Sequence, residues 1–313
     1  MTTLARPHAA GRQERRRRSP HGSRWTPYLF LAPAAVFIGL FQAVPLAQQL
    51  YMSFTQTSLL NPTANTWVGL ENYLRIFGDD DFRRTLLTTL IYVVVCVAGA
   101  VGAGLAIALV LNRPFPGRGA VRALVTVPWA APGIAVALIA VWMLNPQYGI
   151  VNRVLNALGL GVPGGAILDS QTYALPAILV TTIWQLFPLC TVVLLSALQA
   201  VPKELVEAAT MDGAGRWWTF RTVTWQVIKP VVGLLALLMT IWSIRRFELI
   251  WLMTRGGPVG STRTLVIDLY SEAFDAKRLG TAAAIGMVGV MISLIVIAGS
   301  RLVARAAETE ATR

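Results

Sequence analysis

Six runs of mostly apolar residues punctuate this chain, at approximately 28–50, 86–111, 121–144, 173–198, 231–253 and 279–303. A helix rises about 1.5 Å per residue and bilayer hydrocarbon is about 30 Å thick, so each run is long enough to span a membrane. Lipid offers the backbone no hydrogen-bond partner, which makes helices the natural form for such runs. Composition agrees, with 55% hydrophobic and only 13% charged residues, where ordinary soluble domains carry roughly 25% charged. The expected fold class is an all-α membrane protein with six transmembrane helices over 28–303. A basic tail, 1–27, precedes it and a short tail, 304–313, follows.

The 27-residue polar lead holds Arg15 to Arg18 and no A-x-A cleavage site follows the first apolar run, so that run reads as an uncleaved anchor. Ser19-Pro20-His21 is the wrong continuation for a twin-arginine signal. With the N-terminus inside, the inner segments carry 17 Lys+Arg against 6 Asp+Glu, and the outer loops carry 8 against 8. The net +12 therefore falls as +11 inside, 0 outside and +1 within the fifth run. The positive-inside rule is satisfied with both termini cytoplasmic, so the basic charge reports orientation and lipid contact, and no nucleic-acid partner is expected.

Cys96 and Cys190 lie inside apolar runs and imply no disulfide framework. Pro128 and Pro132 interrupt the third run, and Pro176 and Pro188 the fourth; packing kinks are the expected result. Ala98, Gly102 and Ala106 form a small-residue face on the second run, which is expected to pack against a neighbour.

The segment from residue 200 to 229, between the fourth and fifth runs, carries the most information. Pro202 at its start, Glu204 in the first turn and Gly213 at its end mark a helix of about three turns. Leu205, Ala208, Ala209 and Asp212 share a face of mostly small residues, and a second amphipathic stretch follows with Trp217, Phe220, Val223 and Val227. Two short helices joined at a glycine turn form a protrusion suited to a groove on another protein. Glu207 can set its register through charge-assisted hydrogen bonds.

The order Glu207-Ala208-Ala209, then Asp212-Gly213-Ala214, then Phe220, Val223 and Pro230 resembles the E-A-A-x-x-D-G-A loop of permease subunits of binding-protein-dependent ABC importers. Further matches follow the carbohydrate branch, similar to the maltose and glycerol-3-phosphate permeases. They are Phe247-Glu248, the T-x-G-G-P of Thr254 to Pro258, Thr264-Leu265, Tyr270 with Ala273-Phe274, and Gly280 with Ala282 to Ala284. One departure stands out: Trp225-Gln226 replaces the usual Leu-Pro, which lets the second loop helix run further before the chain enters the fifth span at Pro230.

The resemblance implies a type I ABC importer permease architecture in the cell membrane of a bacterium. It also implies a second homologous permease subunit, two cytoplasmic ATPase subunits and an extracytoplasmic solute-binding protein. Glu207, Ala208, Ala209, Asp212, Gly213 and Ala214 would then couple the ATPases to the spans. ATP and Mg would sit on the partner ATPase and no cofactor on this chain. This chain has no G-x-x-x-x-G-K-[ST] loop; Gly256 to Thr262 is glycine-rich but lacks the lysine, and Gly159, Gly161 and Gly164 match G-x-G-x-x-G without the required βαβ context. His8 and His21 fall in the tail, so no catalytic or metal set is expected.

The fifth run holds Arg245, Arg246 and Glu248. Each charge at mid-membrane costs on the order of 2.5–3.5 kcal/mol, so together they should face protein or water. Arg245 and Glu248 are i, i+3 and can pair, with Trp242 and Trp251 extending that face by three residues in each direction. Aromatic faces and charged hydrogen-bonding groups suit a polyhydroxylated solute, which makes these five residues candidates for the translocation path or gate. The rival for the chain as a whole is an ion-gradient-driven secondary transporter with Glu248 as its coupling carboxylate.

Overall fold

The computed structural model describes residues 26–311; the arginine cluster and both histidines of the basic tail lie outside the described residues. The chain divides after Gln48 into two units. The first is helical, with α1 (Thr26–Ile38) followed by a π-helical segment (Gly39–Ala43) leading into α2 (Val44–Ser53), and the Phe37 and Phe41 rings 4.8 Å apart.

The second unit takes in the end of α2 and then an antiparallel hairpin, β1 (Thr55–Ser58) and β2 (Asn61–Trp67), a small departure from an all-helical chain. Its threonine-rich strands suit extended backbone. Buried Asn72 on α3 (Glu71–Gly78) holds the hairpin by donating to the carbonyls of Ser53 and Thr55. The second span, α4 (Asp80–Leu111), starts where the Asp79 side chain accepts from the Asp81 amide at 3.0 Å, with Asp80 and Asp81 complementing the helix dipole.

The third apolar run is divided. α5 (Arg118–Ala130) and α6 (Gly133–Met143) meet at 95°, a far sharper turn than a packing kink. Pro132 drives Ala131 into extended backbone (φ −76°, ψ 135°) and has no N–H with which to continue the helix. Pro128 and Pro188, by contrast, stay inside helices. The short α7 (Ile150–Ala157) leads to the fourth span, α8 (Ala174–Gln199), and then to α9 (Lys203–Met211) and α10 (Arg216–Thr219). The fifth span is divided as well, into α11 (Trp225–Ile244) and α12 (Glu248–Thr254), and α13 (Leu265–Tyr270) precedes the sixth, α14 (Leu279–Ala311). The helix continues through most of the expected C-terminal tail.

Among the described residues five helices have the length and apolarity to cross a membrane, and the bent pair α5 and α6 makes a sixth. α4 and α8 carry much of the core of the second unit. Cys96, Ala100, Gly104 and Ala108 line the buried face of α4, and a Cβ on Gly104 would fall 2.5 Å from the Cβ of Cys190 on α8. The small face expected at Ala98, Gly102 and Ala106 lies two residues away and is exposed. A four-residue spacing identifies a possible close-packing stripe but not its rotation about the helix axis.

Candidate functional site

α9 forms where Pro202 sits at the N-cap and Glu204 in the first turn. It ends in a glycine-terminated Schellman turn: Gly213 takes φ +79°, its N–H donates to the Thr210 carbonyl, and the Ala214 N–H reaches back to Ala209, both at 3.0 Å. Only a residue tolerant of positive φ closes the helix this way, so the sequence enforces the protrusion locally. Glu207, Ala208, Asp212 and Gly213 are exposed, whereas Ala209 is buried and Ala214 half-buried. The expected partner face is thereby corrected, since Ala209 packs against its own fold. Among the described residues Glu207 and Asp212 form no ion pair. Met211, 87% exposed, was not singled out from sequence; its position immediately before the cap was the available signal.

After the turn, α10, a π-helical segment (Phe220–Thr224) and α11 form one helical run into the fifth span. No stop occurs at Trp225-Gln226, in keeping with the missing proline, and the second loop helix is continuous with the span. Phe220 packs between Trp217 and Trp225, with ring centroids 6.0 and 6.4 Å away.

The charged residues of the fifth run occupy a break. α11 ends at Ile244, Arg245 caps it at φ −94° and ψ 8°, and α12 starts only at Glu248. The expected Arg245–Glu248 pair is not formed among the described residues, and the expected common face with Trp242 and Trp251 is lost. The regular 100° step between residues fails across the break, so i, i+3 spacing no longer brings these side chains together. Trp242 stacks on Trp129 of α5, with centroids 5.5 Å apart and planes 11° from parallel. Trp251 packs instead with Phe247 at 5.5 Å and Tyr270 at 4.5 Å.

Arg245 and Glu248 are exposed, whereas Arg246 turns inward. Its guanidinium donates to Oε1 of Gln185, a buried residue of α8, and Gln185 Nε2 donates to the Ala131 carbonyl at 3.3 Å. The Glu248 carboxylate lies against Gly133, at the positive N-terminal end of α6, where a Cβ would overlap it. Gln185, Ala131 and Gly133 had no sequence signal, because their partners lie on distant helices.

The glycine-rich stretch after α12 is a braced turn. Thr262 Oγ1 donates to the Gly257 carbonyl at 2.8 Å and lies 2.7 Å from Thr254 Oγ1. Next to it Asp268 meets Arg263 at 3.3 Å. Burial pushes the Asp268 carboxyl up to about 6 against the opposing pull of Arg263, with Glu272, Asp79 and Asp81 also raising it. Among the described residues no group of three His, Cys, Asp or Glu side chains is placed to hold a metal ion.

The family model for the binding-protein-dependent transport system inner membrane component matches residues 100–308. The sulfoquinovosyl glycerol transport system permease protein SmoG of Agrobacterium fabrum is 34% identical over 277 residues, 88% of this chain and 89% of that protein. The trehalose/maltose transport system permease protein MalF of Thermococcus litoralis is 32% identical over 270 residues, 86% of this chain and 89% of that protein. In fold, the chain is similar to a bacterial ABC transporter involved in import of the acidic polysaccharide alginate, with a TM-score of 0.78 at 23% identity, covering 90% of this chain and 96% of that one.

Proposed function

The chain belongs to the family of binding-protein-dependent transport system inner membrane components, and we propose that the solute it moves is a sugar or sugar derivative. It is a membrane-embedded permease subunit of an ABC importer. The solute class is supported by the names of the relatives, one for sulfoquinovosyl glycerol and one for trehalose and maltose. In this reading a second homologous permease completes the pathway, two ATPases bind ATP and Mg on the cytoplasmic side, and an external binding protein delivers the solute. Both termini face the cytoplasm, in keeping with the charge asymmetry between the loops.

The observation that carries the reading is the capped protrusion of α9, with Glu207 exposed and, among the described residues, in no ion pair, and with exposed Met211 as its last helical residue. It stands between two spans, joined by the short hydrogen-bonded turn at 212–215 to the helical run of α10 and α11, so a push on α9 passes through that turn into the fifth span. ATP-driven closure of the ATPases moves this protrusion, and the spans turn the cavity from inward to outward facing. Near the other end of α11, Arg245 and Glu248 are exposed and Trp242 is half-buried, which supports a role for them in meeting a solute or lining its gate.

Glu207→Ala is expected to reduce ATP-dependent uptake more than tenfold while membrane insertion is unchanged. Removing one partner of an interfacial charge pair costs about 2–5 kcal/mol. Full transport in that variant overturns the coupling role. Uptake that survives ATP depletion but stops when the ion gradient is dissipated would replace the importer reading with the secondary transporter.

A further inference from the structure

Among the described residues the third and fifth spans are each broken, and the two breaks are tied to each other through a third helix. A break exposes backbone groups that lipid cannot satisfy, so each must find a partner within the protein. At the third-span break the Ala131 carbonyl receives the Gln185 amide. At the fifth-span break Arg246 donates to the same side chain. The arginine has only donors and the carbonyl only acceptors, so a single orientation of the Gln185 amide serves both. Leucine removes both bonds. Glutamate keeps the one to Arg246 and turns an oxygen towards Ala131.

Two further contacts join the same spans on either side of this bridge. Before the breaks, Trp129 of α5 stacks on Trp242 of α11; after them, the Glu248 carboxylate of α12 lies against Gly133 of α6. The third and fifth spans therefore touch before and beyond their breaks, and at the breaks they are joined through Gln185 of α8.

We propose that Gln185 and Arg246 are positioning residues that clasp the two breaks together, so that α6 and α12 change orientation as a single body during transport. This rests on the importer reading and separates the two arginines: Arg245 is free to meet solute, whereas Arg246 is spent on the clasp. The Arg246 bond is charge-assisted and sits where water has little access, with Nε of the same guanidinium fully buried.

The test places spin labels at exposed Leu138 on α6 and Leu252 on α12 of the assembled transporter, with Cys96 and Cys190 replaced by alanine. In the otherwise unaltered chain the interlabel distance should be single and identical with and without ATP. In Gln185→Leu it should broaden or shift with nucleotide. ATP hydrolysis in the absence of the binding protein should rise roughly tenfold, the change expected for losing a hydrogen bond to a charged group. Arg246→Met removes the bridge while leaving the Gln185 bond to Ala131, and supplies the same reading should the first variant assemble poorly. A label distance that changes with nucleotide in the parent, or variants with an unchanged distance and unchanged basal hydrolysis, overturns the clasp. ATP-dependent uptake by the parent is measured alongside; its absence counts against the importer reading instead.

Discussion

The α9 protrusion and the paired breaks both interrupt straight membrane helix, yet the chain builds them by opposite means. The protrusion is local: a proline starts it, a positive-φ glycine ends it, and its closing bonds span at most five residues. The breaks are held by partners 54 and 61 residues apart, Gln185 with Ala131 and Arg246 with Gln185. A locally closed motif keeps its shape while its surface stays free for another protein. A clasp between distant helices can transmit a change in one span to the other. The first suits a lever and the second a coupled pair of moving parts.

If that contrast is right, damage to the seat of α8 should exceed damage to the loop. Gly104→Leu forces a side chain into Cys190 and nearby α8 backbone, and is expected to destabilise the chain by about 1–3 kcal/mol or more. It should lower the thermal midpoint in detergent and displace the helix that carries Gln185. A full midpoint in that variant would show that α8 is held by other contacts. Gly213→Val comes next, because a β-branched residue at φ +79° costs roughly 1–2 kcal/mol, and the loss is confined to the loop cap. Uptake should fall with the thermal midpoint nearly unchanged; a parallel loss of global stability would make the loop less local than argued.

The smallest effect is expected at Asp268, which is buried by tertiary packing after the broken span. Its folded value of about 6 lies above the ordinary 3.8, so folding favours the protonated form. The stabilisation is full below about pH 4 and is lost as pH rises towards 6. Asp268→Asn should therefore flatten the decline in thermal midpoint across that window, and an unchanged slope would remove this group as its source.

The loop was legible because helix starts, glycine caps and residue order are properties of neighbouring positions. Its orientation was only partly so, since Ala209 faces inward where a partner face was expected. The small-residue stripe on α4 shows the same limit: four-residue spacing was present twice, and packing against α8 selected Cys96, Ala100, Gly104 and Ala108 over Ala98, Gly102 and Ala106. At the charge cluster, helix periodicity suggested a pair between Arg245 and Glu248. The break sent Arg246 to Gln185 and Glu248 to Gly133 instead.

By itself the sequence determined that this chain crosses a membrane about six times and presents a capped loop between its fourth and fifth spans, because apolar length and turn chemistry act over a few residues. The tertiary structure alone decided which arginine turns inward, which glycine admits a neighbouring helix and which carbonyl Gln185 satisfies. Those outcomes depend on helix rotation and on distances between residues far apart in the chain, and no local pattern encodes them.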